Sequence, residues 1–117
     1  ALLQKHREQD ATVLPAAEAL AMATTSASSA FQLGSGRLEA GAAADLILVD
    51  FSGPSTQPLH DPVSAMVYAA NGANVHTTIC GGRVLMHDRR VEVCDEEAVI
   101  ADANGAVQRL LERTRGG

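Results

Sequence analysis

Polar and apolar positions alternate most regularly from Val75 to Cys80, where Val75, Thr77 and Ile79 share one face and His76, Thr78 and Cys80 the other. A period of two predicts a strand. Gly81–Gly82 follows and Arg83–Val84–Leu85–Met86 returns, which reads as a hairpin closed by a type I′ turn. His87–Asp88 makes a second reversal, and Arg90–Val91–Glu92–Val93 is expected to add a short third strand. Short strands in direct succession predict antiparallel pairing. Ala44–Asp50 differs, because Leu46–Ile47–Leu48–Val49 is apolar without alternation and is bracketed by Asp45 and Asp50. Such a run predicts a central strand covered on both faces.

Elsewhere the pattern is helical. Residues 1–10 read as the middle of a helix with no capping residue ahead of it. Pro15 restricts Leu14 and suits a first helical position, so a second helix should start there. Its apolar stripe is Leu20, Ala21 and Ala23, with Met22 beside it. Thr24–Thr25–Ser26 offers hydroxyl caps, which predicts a helix–helix corner leading into a segment through Phe31 and Leu33. Gly34–Ser35–Gly36 should end it. Phe51–His60 reads as a loop. Asp61–Pro62 is an N-cap followed by proline at the first helical position, opening a helix with Val63, Met66, Val67 and Ala70 that stops at Asn71–Gly72. Asp95–Glu96–Glu97 opens a last helix. Val99, Ile100, Ala103, Val107, Leu110 and Leu111 form its stripe, and Arg109, Arg113 and Arg115 suit its C-terminal end. Gly116–Gly117 is expected to fray.

Composition narrows the options. At 117 residues the chain is too short for a (β/α)₈ barrel, which takes roughly 250 residues. It is 46% hydrophobic but only 3% aromatic and has no Trp, so any core rests on Ala, Val, Leu, Ile and Met. Alanine buries little area, and so Ala-rich a chain is expected to fold marginally unless it packs against something else. The net charge of −5 argues against a nucleic-acid partner. With no apolar run of membrane length, no secretory signal, and Cys80 and Cys94 too far apart for a CxxC motif, a cytoplasmic protein with free thiols and no membrane partner is expected. No initiator Met begins the chain, which is expected to be cut from a longer one.

Candidate chemistry is sparse. His6, His60, His76 and His87 form neither HxH nor HExxH. His76, Cys80, His87 and Cys94 can be drawn as a zinc quartet. However, His76 and Cys80 are roughly 13 Å apart at strand rise, too far to share an ion. His76 therefore reads as a surface strand residue, and His60 and His87 as loop residues. Asp45 and Asp50 point to opposite faces roughly 16 Å apart, which suits strand-end turns better than paired catalysis. The serines lack a G-x-S-x-G frame, and Ser64, near His60, occupies the first turn of a capped helix. Gly34–Ser35–Gly36 lacks the third glycine, and the preceding strand, of a dinucleotide fingerprint. No catalytic, cofactor-binding or metal-ligating residue is assigned.

Several segments carry a resemblance, in chain order. Pro15–Thr24, Leu38–Glu39–Ala40–Gly41, Ala44–Asp50, Pro58–Gly72 and the hairpin at Gly81–Gly82–Arg83–Val84 together resemble the C-terminal portion of the amidohydrolase superfamily. Pro58–Gly72 is similar to its chlorohydrolase and S-adenosylhomocysteine–methylthioadenosine deaminase branch. The resemblance implies an α+β architecture. Residues 1–35 would be closing helices of a (β/α)₈ barrel, 36–94 the C-terminal half of a small, mostly antiparallel composite β-sandwich, and 95–117 a C-terminal helix. It further implies a parent hydrolase acting on non-peptide carbon–nitrogen or carbon–chloride bonds, by deamination of a purine-like or triazine-like ring, with zinc or iron held by histidines and an aspartate on strands preceding Ala1. The chain itself would be structural and inactive. Its partners would be the N-terminal barrel portion and, in a homo-oligomer, another copy. The alternative is a self-contained, non-catalytic dimerisation module.

Overall fold

The computed structural model describes residues 1–115, so the expectation for Gly116–Gly117 lies outside the described residues. Helix α1 (Leu2–Glu8) precedes α2 (Ala16–Ala21) and α3 (Ala27–Phe31). Strand β1 (Leu46–Val49) is followed by α4 (Pro62–Tyr68), then by β2 (Val75–Cys80), β3 (Arg83–His87) and β4 (Arg90–Val91), and α5 (Glu96–Arg115) closes the series. The four strands form one antiparallel sheet in the order β1-β2-β3-β4. The chain is thus α+β, as its pattern predicts.

Several boundaries move for identifiable reasons. Pro15 is the N-cap of α2 rather than its first residue, and its carbonyl accepts from Ala19 N at 3.0 Å. The expected corner at Thr24–Ser26 is instead a π-helical turn, Met22–Ser26, within a continuous right-handed run. Its hydroxyls do not cap: Thr24 Oγ1 donates back to Leu20 O at 2.8 Å and Thr25 Oγ1 to Ala21 O at 3.4 Å. Such back-bonding distorts a helix without ending it. The stop comes at Gln32, left-handed at φ 54°, ahead of the glycines. Asp61 caps α4 through Val63 N and Ser64 N, with Pro62 at the first position. That helix ends at Tyr68, short of Asn71–Gly72, where Asn71 instead caps a 3₁₀ turn (Gly72–Asn74).

The hairpin turn is as read, with Gly81 at φ 55° and Gly82 at φ 76°. His87 is the last residue of β3 and not a loop residue, and β4 spans two residues rather than four. The larger correction concerns β1. It is an edge strand, not a central one, and Ile47 and Leu48 on its opposite faces are each half exposed (50% and 49%). Among the described residues nothing covers the apolar run on both faces.

Among the described residues no apolar side chain is fully buried, and the four buried residues, Ser28, Thr56, Asn74 and Thr77, are all polar. Helix α2 packs against α4, and Leu20, Leu46, Ile47 and Met66 line an open apolar groove among α2, β1 and α4. Helix α5 leaves Val99, Ile100, Val107 and Leu110 exposed. The radius of gyration is 19.6 Å, against about 13 Å for a compact domain of this length.

Gly36 is the glycine with the narrowest requirement. Its φ is 82°, and a Cβ there would stand 2.7 Å from Thr24 O. Gly36→Ala is therefore expected to loosen the junction between the π turn and β1 by about 2 kcal/mol, through backbone strain and displacement of Thr24. Urea denaturation of the two proteins measures it; an unchanged midpoint would contradict this account of the junction.

Candidate functional site

Two groups of polar side chains are organised by the sheet, one at each side of β2. The first ties the end of β1 to the start of β2. Asp50 N donates to Asn74 O at 2.8 Å and Asn74 Nδ2 donates to Asp50 O at 3.1 Å. Asn74 is fixed in turn by Asn71 N, which donates to its Oδ1 at 3.0 Å. The Asp50 carboxylate accepts from Ser52 N at 2.8 Å and from Arg89 Nη2 at 2.9 Å, and Arg89 Nε also reaches Ala73 O at 3.0 Å. Hydrogen bonds from Ser52, followed by Arg89, hold the Asp50 carboxyl at about 2. Asp45 does similar work at the other end of β1, accepting from Gly81 N at 2.7 Å in the hairpin turn. That backbone donor, with Cys80 and Ser35, lowers the Asp45 carboxyl, while the adjoining Asp45 raises the Cys80 thiol. Both aspartates are strand-end ties, as their spacing predicts.

The second group lies where β3 turns into β4. His76 Nε2 is 2.6 Å from Asp88 Oδ1, and His87 Nε2 is 3.8 Å from Asp88 Oδ2. The rings meet edge to face, with centroids 5.7 Å apart. Thr77 Oγ1 stands 2.8 Å from His76 Nδ1 and 3.3 Å from His87 Nδ1. Among the described residues these are the three His, Cys, Asp or Glu side chains whose donor atoms all come within 4.8 Å of one another. The sequence reading considered His76 and His87 but linked them to cysteines. It missed Asp88, whose place opposite His76 follows from the β2–β3 register, Thr78 against Met86. Neither Cys80 nor Cys94 joins this group; both are exposed free thiols. His60 lines a shallow groove with Asp61, Ser64 and Tyr68, but the Ser64 hydroxyl is committed to the Asp61 cap, so no nucleophile–base pair forms.

Comparison with known proteins places this geometry. A model of the amidohydrolase family matches residues 1–85. A 5'-deoxyadenosine deaminase of Methanoregula boonei is 53% identical over 115 residues, covering 98% of this chain and 26% of the relative. A 5-methylthioadenosine/S-adenosylhomocysteine deaminase of Haloarcula marismortui is 42% identical over 113 residues, again 26% of its length. The chain therefore spans about a quarter of the length of the curated relatives it matches. Among solved structures, an adenosine deaminase from Xanthomonas campestris with bound zinc superposes on 95% of the chain and 26% of its own, at a TM-score of 0.85 and 34% identity. The zinc complex of an atrazine chlorohydrolase from Arthrobacter aurescens covers 79% of this chain and 20% of its own, at 0.70 and 27%.

The Asp50 tie has a consequence in acid. Its carboxyl is lower in the folded chain than its unfolded value of about 3.9, so its stabilisation is fully present above about pH 4 and is lost as pH falls toward 2. Amide protection at Asp50 and Asn74, read by hydrogen exchange, is expected to fall across that window. In Asp50→Asn that pH dependence should vanish; a variant with the wild-type acid profile would show that Asp50 does not carry it.

Proposed function

Because this chain belongs to the amidohydrolase family, we propose that it is the C-terminal portion of a metal-dependent hydrolase that deaminates adenosine-like nucleosides. In this reading residues 1–35 close a (β/α)₈ barrel. Residues 36–94 form half of a composite β-sandwich completed by the N-terminal part of the polypeptide, and the segment that starts at residue 95 supplies helix α5. The names of two relatives, deaminases of 5'-deoxyadenosine and of 5-methylthioadenosine or S-adenosylhomocysteine, favour an aminopurine nucleoside over a chlorinated triazine.

The observation that carries the structural half of the reading is the uncovered apolar surface. The chain exposes 8872 Å², where a folded monomer of this size exposes about 6,100 Å². The excess, roughly 2,800 Å², is several times the 800 Å² or so that one partner contributes to an ordinary interface. It includes Phe31 at 75% exposure and Leu38 at 84%. Burial of that extent is what a covalently continuous barrel and sheet would supply.

The residues present do not fit the family's catalytic metal. A centre that activates water beside a ring substrate needs converging donors within a cleft. The three donors that converge here stand on an exposed hairpin end, and the carboxylate that shares the His60 groove, Asp61, is engaged by the α4 cap. No step is routed through this chain's side chains. Their part is mechanical: Asp45 and the Asp50–Asn74 bonds tie β1 to β2 and its turn, and the sheet presents the face on which the rest of the enzyme would rest.

The test is ammonia release from 5'-deoxyadenosine, 5-methylthioadenosine and S-adenosylhomocysteine. The longer polypeptide carrying this chain is expected to turn over at least one of them, and the 117-residue chain alone, with zinc added, none. Inertness of the longer polypeptide toward all three would remove the deaminase reading. Turnover by the short chain, or its sedimentation as a stable, inactive dimer with the apolar faces covered, would remove the role assigned to it.

A further inference from the structure

The group at the β3–β4 turn is built more closely than a surface ion pair requires. Thr77, whose hydroxyl stands between the two Nδ1 atoms, is only 6% exposed. One hydroxyl oxygen can accept from two donors. When both imidazoles donate from Nδ1, both Nε2 lone pairs are free for a ligand. Both Nε2 atoms are turned toward the Asp88 carboxylate, and His76 Nε2, 2.6 Å from Asp88 Oδ1, stands at the distance of a hydrogen bond that a metal ion would replace. An anchored Nδ1–H that frees Nε2 is the arrangement by which proteins orient histidine ligands.

The backbone contributes as well. Asp88 and Arg89 are both left-handed, at φ 47° and 61°, a conformation that non-glycine residues adopt reluctantly. The turn is held there because Arg89 N donates to His76 O at 3.0 Å and its guanidinium reaches away to Ala73 O and Asp50. The Asp88 carboxylate is thereby delivered to His76, and the nearest guanidinium is engaged elsewhere. Two imidazole Nε2 atoms and the Asp88 carboxylate thereby converge beside the turn.

We propose that His76, His87 and Asp88 bind a divalent transition-metal ion, with zinc as the probe, clamping the end of the β2–β3 hairpin. Two imidazoles and a carboxylate suit zinc, nickel or copper rather than calcium or magnesium. Donor atoms on tetrahedral zinc lie about 3.3 Å apart for bonds near 2.0–2.1 Å. Those here lie within 4.8 Å, with His76 Nε2 and Asp88 Oδ1 at 2.6 Å and His87 Nε2 and Asp88 Oδ2 at 3.8 Å. To reach that spacing the first pair must part and the wider ones close, by up to about 1.5 Å. Water would complete the shell on the open side.

The measurement is bound zinc per chain at buffered free zinc, in the longer polypeptide carrying this chain, with Cys80→Ser and Cys94→Ser removing the thiols. The expected result is one ion more in this background than in the same background with Asp88→Asn. That substitution keeps a residue tolerant of left-handed backbone and so should leave the turn folded. His76→Gln combined with His87→Gln should lose the same ion, and Thr77→Val should weaken its binding by roughly 10- to 100-fold. Imidazole ¹⁵N shifts at His76 and His87 should move on adding zinc. Equal zinc content in all variants up to millimolar free zinc, with the His76 Nε2 proton retained, would show a proton-bridged ion pair instead and overturn the proposal. Zinc counting does not depend on turnover, so this outcome is separable from the deaminase test.

Discussion

The hydrogen bonds between Asp50 and Asn74 determine where the sheet can form, because apolar burial inside the chain is too slight to do so. Asn74 is buried and polar, and every group around it is engaged: its side chain with Asp50 O and Asn71 N, its carbonyl with Asp50 N. These bonds place Val49 opposite Val75 and so fix the β1–β2 register, although a bulge intervenes at Leu48/Val49. A one-residue slip would exchange the two faces of β1. Where both faces are apolar, hydrophobic patterning cannot prevent that slip, and a polar anchor can. Asp45 performs the same task at the opposite end by holding Gly81 N, so β1 is pinned at both termini to β2 and its turn.

From that anchoring follows the division between what is internally satisfied and what is not. Among the described residues no side-chain polar atom is buried without a partner, yet no apolar side chain is fully buried. Polar requirements are met locally, through caps, turns and strand ladders. Apolar requirements are left to a second surface, and the groove lined by Leu20, Leu46, Ile47 and Met66 lies open to receive one. A β1 edge with half-exposed Ile47 and Leu48 would be an aggregation hazard if it stayed bare. Coverage of that edge by a second surface would remove the hazard without any change in the chain's own hydrogen bonding.

What could be read from the sequence was what is decided within a few residues. Gly81–Gly82 specified the hairpin turn, Asp61–Pro62 the start of α4 and Asp95 the start of α5, where Asp95 Oδ1 accepts from Ala98 N. The edge position of β1 could not be read that way, because an apolar run states a need for cover and not who provides it. The π turn was hidden for a different reason: Thr24 and Thr25 can either cap or back-bond, and the choice rests on whether the preceding turn continues. The meeting of His76 with Asp88 depends on the bulge between Thr78 and Ile79 and on two left-handed residues, neither of which period-two counting detects. Pairing the histidines with cysteines followed residue chemistry and overlooked the turn.

The segments that carry the family resemblance are the ones that hold this structure together. Ala44–Asp50 contains both strand-end aspartates, and Pro58–Gly72 contains the Asp61 cap and the Asn71 side chain that accepts from Ala73 N. Ser28 Oγ accepts from Ser35 N, and close packing of Gly36 on Thr24 completes the link from the helices to β1. These are geometric requirements of joining a helix pair to an antiparallel sheet, and none requires a substrate. A chain can therefore declare its family through ties that are structural in themselves. The reaction is thus inferred from kinship, whereas the clamp at His76, His87 and Asp88 is inferred from atoms, and each can fail without the other.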